Sequence, residues 1–440
     1  MDYSVELQTK LSQRAAVVGV VGLGYVGLPL AAEFAAAGLR VIGFDIDAEK
    51  VARLRRGESY LSDVPSDRIA ALVQAGRLEA TTDFDRLGAP DALCICVPTP
   101  LTATRDPDLA FVIATTEEIA KRLRPGQLVV LESTTYPGTT REEVLPRLAA
   151  TGLEVGRDFF CGYSPERVNP GARDHPFGQV PRIVSGITPA CLQVTQALYD
   201  TVISHTVPVS TPEVAEMAKL LENIFRATNI SMINELKMIC LRMGIDIWEV
   251  ISAAATKPYG FMPFYPGPGL GGHCIPIDPF YLSWRARAFG VNARFIELAG
   301  EINTAMPEFV VHRVMEALNS QGRSLKGNRV LVLGASYKPN VGDTRESPAV
   351  TIMELLLAAG ADIRYHDPYV PRLPRMRRSR LALESVDLTE AELSQAACVV
   401  IVTNHDQYDY QWIVDHAALV VDTRHATHAV TGGHEKVWQA

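Results

Sequence analysis

The chain has 440 residues, of which 47% are hydrophobic and 21% are charged, a composition typical of a globular protein and not of a disordered or fibrous one. A single hydrophobic core rarely serves so long a chain, so we expect two or three domains. The formal net charge of −8 leaves no basic footprint, which argues against a nucleic-acid partner.

The first predicted unit, residues 15–47, alternates strand, turn, helix and strand. An apolar run, Ala16–Val21, predicts the first strand, and an Ala- and Leu-rich segment that stops at Gly38 predicts the helix. Residues Arg40–Phe44 predict the second strand. This order is typical of a βαβ unit in a parallel sheet.

The turn of this unit carries the spacing of a dinucleotide site. Gly22, Gly24 and Gly27 form G-x-G-x-x-G, which permits a tight turn, lets the backbone approach a pyrophosphate and allows close helix–strand packing, in that order. Asp45 follows Gly27 by 18 residues, near the spacing of a carboxylate that takes a ribose hydroxyl, which favours NAD over NADP. The alternative is a structural βαβ unit whose glycines serve only to make a tight turn, without a cofactor. The predicted cofactor-binding residues of this unit are Gly22, Gly24, Tyr25, Val26, Gly27 and Asp45.

Two further strands are predicted at α/β spacing, within residues 92–100 and 127–140. Thr99 and Thr134 follow the apolar parts of these strands. Because ligands of open parallel sheets bind beyond the carboxyl ends of the strands, both threonines are predicted to lie at the cofactor or the substrate. Capping of the next helix is the other interpretation of these hydroxyls.

A long helix is predicted in the middle of the chain. Thr211 suits an N-cap, Pro212 suits the first helical position, and the pattern stops at Gly244. A helix of about 30 residues would be roughly 45 Å long, which suits a spine or a dimer interface. We therefore expect a homodimer or a higher homo-oligomer formed through this helix.

Three polar residues, Lys219, Asn223 and Arg226, fall on one face of that helix at i, i+4 and i+7. A solvated polar stripe is the ordinary interpretation of such a pattern. The apolar residues that flank it also allow a partly buried Lys219.

Residues 265–279 read YPGPGLGGHCIPIDP and surround one cysteine with glycines and prolines. The glycines remove side chains, so the backbone could come close to a bulky ligand, and the prolines restrict the loop around Cys274. Such a loop suits the presentation of a nucleophile. A tight structural loop with an incidental buried thiol is the alternative.

The strand–turn–helix–strand order returns over residues 328–368, and further strands are predicted within 397–408 and 418–426. The first turn of this segment has Gly334 but lacks G-x-G-x-x-G, and Asp367 ends the second strand. We therefore predict a nucleotide-type domain for a ligand other than a dinucleotide. Cations at its strand ends or in adjoining loops either face phosphates or lie in solvent; they are Lys338, Arg345 and Arg424.

The seven cysteines stand singly or as Cys94-x-Cys96, without metal-ligand spacing or a disulfide framework. This favours free thiols in a reducing cytoplasm, and no metal is predicted. The longest apolar runs are about strand length, and the polar N-terminus carries no secretory pattern. We therefore expect a cytoplasmic protein without a membrane partner.

Five motifs occur in the order seen in the UDP-glucose/UDP-N-acetylmannosamine dehydrogenase family, which the chain resembles from about residue 15 to about residue 426. They are GVVGLGYVGLPLA, YSPERVNPG at 163–171, the Lys219–Asn223 helix, PGPGLGGHCIPIDP and GDTRESPA at 342–349. The resemblance implies an α/β protein with two Rossmann-like, doubly wound parallel-sheet domains joined by a central helical domain with a long spine helix. The predicted domains are 1–208 for NAD, 209–310 for dimerisation and the cysteine loop, and 311–440 for the UDP-sugar.

The family's reaction oxidises the C6 alcohol of a UDP-sugar to a carboxylate in two NAD-dependent hydride transfers, without a metal. The resemblance makes Cys274 the nucleophile that carries a thiohemiacetal and then a thioester, which water hydrolyses. Lys219 resembles the lysine that stabilises oxyanion charge, and Glu166 resembles the general base for hydrolysis. Supporting roles around the thiol, the hydrolytic water and the substrate hydroxyl are implied for Asp278, Asn223 and Thr134.

The same resemblance narrows the substrate. GGHC and ERVNPG are similar to the subgroup that acts on UDP-N-acetylhexosamines, and CIPIDPFYL is similar to the UDP-N-acetylglucosamine 6-dehydrogenases. UDP-N-acetylmannosamine and UDP-N-acetylgalactosamine are the alternatives, followed by UDP-glucose. His273 either contacts the N-acetyl group, tunes the thiolate or simply packs. The residues implied to bind the substrate are Lys219, Asn223, Tyr265, Gly271, His273, Lys338 and Arg424.

Two other functions fit parts of the sequence. A β-hydroxyacid or 6-phosphogluconate-type dehydrogenase shares an NAD domain followed by helices, but it predicts neither the cysteine loop nor a second α/β domain. A non-catalytic nucleotide-sugar binding protein would tolerate the loss of Cys274, Lys219 or Glu166, yet all three are present. Capsule or O-antigen synthesis is the pathway that the resemblance implies.

Overall fold

The computed structural model describes residues 2–61, 63–102, 104, 106–167, 176–272, 275–374 and 381–440. The chain forms two compact units, one made of residues 1–222 with 280–291 and the other of residues 223–279 with 292–440. His273 and Cys274 lie outside the described residues, as do the last four residues of YSPERVNPG.

Short strands and helices alternate along most of the described chain. The strands are β1 Val17–Val21, β2 Arg40–Phe44, β3 Leu78–Thr81, β4 Ala92–Ile95, β5 Leu128–Leu131, β6 Phe160–Tyr163, β7 Arg182–Gly186, β8 Thr206–Pro208, β9 Arg329–Leu333, β10 Asp362–His366, β11 Cys398–Ile401, β12 Val420–Asp422 and β13 Val437–Gln439. The helices are α1 Tyr3–Ser12, α2 Gly27–Ala36, α3 Ala48–Arg55, α4 Ser66–Gln74, α5 Ala110–Ala120, α6 Leu145–Ala149, α7 Pro189–Tyr199, α8 Pro212–Met243, α9 Ile247–Ala255, α10 Asp278–Arg287, α11 Arg294–Ser320, α12 Pro348–Ala358, α13 Glu390–Gln395 and α14 Tyr410–His416.

The sheet of the first unit has the strand order β3-β2-β1-β4-β5-β6-β7-β8. Strands β1 to β6 pair in parallel in the order 3-2-1-4-5-6 of a dinucleotide-binding doubly wound fold. Every residue of β4, β5 and β6 is buried, as expected for parallel strands covered by helices on both faces. Strand β7 reverses direction and pairs antiparallel with β6, and β8 pairs in parallel with β7.

The sheet of the second unit has the order β10-β9-β11-β12-β13, and all its pairs are parallel. This is the 2-1-3-4-5 order of the other common doubly wound fold, whose ligand site lies where the strand order reverses. Here that reversal lies between β9 and β11. The predicted fold class, two parallel-sheet α/β domains with a central helical region, is confirmed.

Helix α8 confirms the long central helix predicted from the sequence. It begins at Pro212, where the Val214 N–H donates to Thr211 Oγ1 at 3.4 Å, and it ends before Gly244, which has a left-handed φ of +70°. Its 32 residues give a length of roughly 48 Å. No helix within the described ranges is both long and apolar enough to cross a membrane.

Helix α11 contains Pro307 in its interior and continues to Ser320. The predicted domain boundary at residue 310 therefore lies within this helix. The predicted division into three domains stays a prediction.

Candidate active site

The dinucleotide-type turn of the first unit follows β1 and leads into α2. Gly22 has a left-handed φ of +91°, and a Cβ at this position would lie 2.7 Å from the Cys96 carbonyl oxygen. A Cβ at Gly27 would overlap the Gly22 carbonyl oxygen, so α2 reaches this position only because the residue has no side chain. These two glycines serve the fold of the turn itself.

Gly24 differs from the other two glycines because the space around it is open. A Cβ at Gly24 would meet no described atom within 4 Å, and no described residue accepts a hydrogen bond from its N–H. The N-terminus of α2, which begins at Gly27, favours negative charge nearby. An open backbone segment beside a helix N-terminus fits the pyrophosphate of a dinucleotide.

Asp45 lies directly after β2 and is 8% exposed. Its carboxylate accepts the Leu23 N–H and the Asp47 N–H, each at 2.9 Å. Tyr60 donates to the Leu23 carbonyl oxygen, and burial, followed by the charge of Asp45, raises the pKa of the Tyr60 phenol. The carboxylate is thereby fixed beside the glycine turn, and its remaining lone pairs fit a ribose hydroxyl.

Thr99 and Thr134 follow β4 and β5, and the structure joins them. Thr99 is 5% exposed, and its hydroxyl donates to the Thr134 carbonyl oxygen at 2.8 Å. Neither threonine caps a helix, because the next helical segments begin only at Ala110 and Thr140. The adjacent Thr135 Oγ1 is buried and has no hydrogen-bond partner among the described residues, which makes it a further candidate at this strand end.

Glu166 follows β6 and forms an ion pair with a buried arginine. Its Oε2 accepts from Arg182 Nη1 at 2.9 Å, and its Oε1 accepts the Arg167 N–H at 2.7 Å. Arg182 is 2% exposed and begins β7. Because β7 runs antiparallel to β6, its first residue lies at the edge where the parallel strands end.

A second buried carboxylate, Glu132, lies on the other side of Arg182. Glu132 directly follows β5, is 1% exposed, and accepts from Arg182 Nη2 and from the Tyr199 hydroxyl. Burial raises the pKa of Glu132, while the charge of Arg182 opposes that rise. The arginine also stacks over the Tyr199 ring, with Cζ 4.8 Å from the ring centroid.

Lys219 on α8 is 8% exposed, which excludes the interpretation as a solvated stripe. No hydrogen bond or ion pair to its ammonium is found among the described residues. A buried ammonium without a counter-ion is costly unless a ligand or an anionic group satisfies it. Three residues earlier, Glu216 accepts from the Gly138 N–H at 2.6 Å and from Thr140, and burial raises the pKa of Glu216 to about 7.

In the second unit, Asn223 and Asp278, for which separate supporting roles are predicted, are in direct contact. Asn223 Nδ2 donates to Asp278 Oδ2 at 2.6 Å, and the two residues are 5% and 3% exposed. Asp278 begins α10, four residues after Cys274. This buried hydrogen bond fixes the chain just beyond the predicted nucleophile to α8.

Glycines of the cysteine loop lie against the protein's own side chains, and the expectation that they also make room for a ligand stays a prediction. A Cβ at Gly267 would lie 2.6 Å from Arg424 Nη1, and a Cβ at Gly271 would lie 2.5 Å from Tyr337 Cβ. Gly272 has a left-handed φ of +88°, and its N–H donates to the Arg345 carbonyl oxygen at 3.0 Å. The loop packs tightly on the second unit up to residue 272.

The other predicted substrate residues lie in the same unit. Tyr265 is 54% exposed and stacks on Trp248, with ring centroids 5.7 Å apart and an angle of 15° between the planes. Arg424 Nε donates to the Val402 carbonyl oxygen at 2.9 Å, and burial lowers the pKa of its guanidinium to about 10. The Lys338 carbonyl oxygen accepts from Ser336 Oγ at 2.9 Å, which fixes the backbone of its loop.

Three models of one protein family match this chain in consecutive segments. They describe the NAD binding domain, the central domain and the UDP binding domain of the UDP-glucose/GDP-mannose dehydrogenase family, over residues 16–203, 213–305 and 331–429. The chain belongs to this family. NAD is therefore the cofactor of this dehydrogenase, as the glycine turn and Asp45 predicted, and the second sheet belongs to a UDP-binding domain.

Several proteins resemble this dehydrogenase over most of its length. A UDP-N-acetyl-D-glucosamine 6-dehydrogenase from Pseudomonas aeruginosa is 40% identical over 355 residues, which cover 80% of this chain and 83% of that protein. An NDP-N-acetyl-D-galactosaminuronic acid dehydrogenase from Ralstonia nicotianae is 36% identical, covering 89% and 91%. A solved structure of a UDP-D-ManNAc dehydrogenase from Pyrococcus horikoshii superposes with a TM-score of 0.87 at 30% identity, covering 96% of this chain and 98% of that chain.

This dehydrogenase also contains polar residues that the sequence interpretation missed. Arg182, Glu132 and Glu216 lie 16, 34 and 50 residues from Glu166 along the chain, and none belongs to a motif with a recognised spacing. Thr135 had a signal, since it is the second threonine of the Ser-Thr-Thr that follows β5. The predicted roles of His273 and Cys274 lie outside the described residues.

Proposed function

We propose that this NAD-dependent dehydrogenase oxidises the C6 alcohol of a UDP-N-acetylhexosamine, with UDP-N-acetylglucosamine as the preferred substrate. One UDP-sugar, two NAD⁺ and one water give one carboxylate, two NADH and three protons. The relative at 40% identity, whose name specifies UDP-N-acetyl-D-glucosamine, and the segment CIPIDPFYL support this choice of sugar. The galactosaminuronic and mannosamine relatives support the wider class of N-acetylhexosamines.

When bound, NAD accepts one hydride from the C6 carbon in each of the two oxidation steps. Between these steps the Cys274 thiolate adds to the aldehyde carbon and forms a C–S bond. The second oxidation turns this thiohemiacetal into a thioester, and attack by water then forms a C–O bond and breaks the C–S bond. Lys219 stabilises the charge on the oxygen, and Glu166 accepts a proton from the attacking water.

The hydrogen bond between Asn223 and Asp278 carries this proposal. Both side chains are buried, their atoms are 2.6 Å apart, and Asp278 is four residues from the predicted nucleophile. A buried carboxylate paired with an amide suits a site that must hold a polar group in a fixed place. The buried Lys219 ammonium, which has no partner among the described residues, adds a cation suited to oxyanion charge.

The substrate-binding roles of Tyr265, Gly271, Lys338 and Arg424 belong to the same proposal. So does assembly into a homodimer or higher homo-oligomer through α8. Large apolar side chains along α8 that are more than a third exposed support this assembly; they are Val214, Met217, Leu221, Phe225, Met232, Leu236, Ile239 and Met243.

An assay of NADH formation with four UDP-sugars tests the reaction and the substrate together. We expect two NADH for each UDP-N-acetylglucosamine consumed, and lower kcat/KM with UDP-N-acetylgalactosamine, UDP-N-acetylmannosamine and UDP-glucose. One NADH for each sugar would indicate a simple alcohol dehydrogenase, and none would indicate a binding protein. A higher kcat/KM with another sugar would reject the preferred substrate but not the reaction.

The variant Cys274→Ser tests the covalent step separately. Serine is a much weaker nucleophile than a thiolate, so we expect net turnover to fall to about one hundredth or less of the wild-type value. Binding of the UDP-sugar, measured by calorimetry, should change little. Unchanged steady-state NADH formation in this variant would reject the role of Cys274.

A further inference from the structure

We propose that Arg182 is a positioning residue that orients the Glu166 carboxylate for thioester hydrolysis, and that Glu132 and Tyr199 hold Arg182 in place for this purpose. The proposal rests on the proposed function, because it assigns a support to the residue that takes the proton from water. In that step the water oxygen bonds to the thioester carbon, the proton passes to Glu166, and the C–S electron pair leaves with the Cys274 sulfur.

The contact between Glu166 and Arg182 is built into the sheet. Strands β6 and β7 pair antiparallel with Tyr163 opposite Ser185, so the numbers of paired residues sum to 348. Glu166 and Arg182 have the same sum, and continuing the register by three residues therefore places them opposite each other. The reversal of β7, which a wholly parallel sheet would lack, thus brings the arginine to the carboxylate.

The guanidinium of Arg182 is held on three sides. Its Nε donates to Ser164 Oγ at 3.0 Å, its Nη1 donates to Glu166 Oε2 at 2.9 Å, and its Nη2 donates to Glu132. The planar fork of arginine allows these three contacts at once, whereas the single ammonium of lysine cannot reproduce them. With one oxygen held by Arg182 and the other by the Arg167 N–H, the plane of the Glu166 carboxylate is defined.

The charges around Arg182 explain why Glu132 is needed. A buried arginine is stable only when it is paired, and Glu132 supplies a fully buried partner whose other oxygen binds the Tyr199 hydroxyl. Glu132 therefore anchors Arg182 from behind, while Glu166, at 14% side-chain exposure, retains some access to solvent. A carboxylate that must meet a water needs such access, and Glu132 lacks it.

Rapid-mixing measurements of NADH formation at saturating UDP-N-acetylglucosamine and NAD test the proposal. The reference variant is Glu166→Gln, for which we expect a burst of two NADH per subunit followed by slow turnover, because the thioester forms but hydrolyses slowly. The double variant Glu132→Gln/Arg182→Met removes both buried charges and should show the same burst, with steady-state turnover reduced roughly 100-fold through loss of orientation. The single variant Glu132→Gln keeps an acceptor beside Arg182 but removes its buried counter-charge, so we expect a full burst and a steady-state rate between those of the wild type and the double variant.

The variant Arg182→Lys adds a milder change that keeps the charge. We expect a full burst and a steady-state rate between those of the wild type and the double variant. A burst that falls in proportion to the steady-state rate would overturn the proposal, because it would indicate loss of folded enzyme. Failure of both arginine variants to fold would overturn it as well, since Arg182 would then serve the fold. Unchanged turnover in Glu166→Gln would instead reject the proposed role of Glu166, so the two failures are distinguishable.

Discussion

The turn after β1 and the turn after β9 occupy the same place in two sheets of related topology, but they use their backbones differently. Both begin with a glycine of positive φ, Gly22 or Gly334. An added Cβ would collide with the residues that follow the neighbouring strand of the sheet, at Cys96 after β4 or at Thr403 after β11. In the first turn the backbone at Gly24 stays open.

In the second turn the corresponding backbone groups are already bound. The Ala335 and Ser336 N–H groups donate to Asp367 at 2.7 and 3.0 Å, and the Ser336 carbonyl oxygen accepts from Thr403 Oγ1 at 2.6 Å. Asp367 also accepts from the buried His405 at 3.1 Å. Because the Ser336 N–H is bound to Asp367, whereas the Gly24 N–H at the corresponding place in the first turn has no partner among the described residues, we expect side chains to contribute more to nucleotide recognition in this domain.

The largest expected effect on stability comes from replacing a tightly packed glycine of each turn by alanine. Gly27→Ala forces the new Cβ into the Gly22 carbonyl, and Gly334→Ala adds both a clash with Thr403 and left-handed strain, so each should cost about 3 kcal/mol or more of unfolding free energy. We expect Gly27→Ala to abolish NAD binding while UDP binding persists, and Gly334→Ala to do the reverse, as measured by calorimetry.

Gly24→Ala is the matched control for this prediction. Its Cβ would meet no described atom within 4 Å, so the melting temperature should stay close to that of the wild type. NAD affinity should nevertheless fall, because the methyl group takes the space of the cofactor. Unchanged NAD affinity in this variant would contradict the assignment of the open backbone to the pyrophosphate.

The second prediction compares the two carboxylates that follow the second strand of each sheet. Asp367→Ala leaves buried N–H groups without acceptors and should destabilise the protein by about 3 kcal/mol. Asp45→Ala should cost less stability but weaken NAD binding about tenfold or more, through loss of a charged hydrogen bond to ribose. Urea unfolding and NAD titration separate these effects, and equal losses of stability in both variants would remove the distinction between the turns.

The smallest expected effect is a difference in pH response. Burial raises the pKa of Glu216 in the first unit to about 7, so the folded state holds its proton more tightly than the unfolded state does. This contribution is complete below the ordinary carboxyl pKa and is lost as the pH rises to 7, on the order of 3 kcal/mol. Glu216→Gln should therefore flatten the decline of the melting temperature between pH 5 and 7.

Asp367 in the second unit should respond in the opposite direction. Burial alone would raise its pKa, but hydrogen bonds from His405 and from backbone N–H groups outweigh burial and hold the pKa below its ordinary value. Its contribution is present above the ordinary pKa and is lost as the pH falls through the lowered value. The control for the Glu216 measurement is Glu79→Gln, which removes a pair with Arg86 at 2.5 Å in the same unit as Glu216. Because the hydrogen bond from Arg86 lowers the pKa of Glu79, its titration lies below pH 5, and the slope between pH 5 and 7 should stay unchanged.

The elements that the sequence predicted well are those whose signal is local. Gly22, Gly27 and Asp45 fall within one βαβ unit, and Thr211, Pro212 and Gly244 mark the ends of α8, so neighbouring residues were enough to define them. The reasons for Gly267 and Gly271 could not be read in this way, because Arg424 and Tyr337 approach them from far along the chain.

The network around Glu166 illustrates the same limit at the candidate site. Arg182 reaches Glu166 only because β7 reverses direction, and the sequence pattern gives no sign of that reversal. Glu132 meets the arginine through the order of β5 and β6 in the sheet. Contacts that depend only on the order and direction of strands in the sheet leave no characteristic spacing in the sequence.

The packing of Gly271 and Gly272 against Tyr337 links the loop that leads to Cys274 with the loop that carries Lys338. Tyr337 immediately precedes Lys338, which is predicted to contact the UDP-sugar. The same loop therefore packs against the residues that precede Cys274. We therefore expect that binding of the UDP group near Lys338 also orders the loop that leads to Cys274. A sugar shortened by removal of its uridine would then react slowly even when saturating, because remote binding energy would no longer be available to the chemical step.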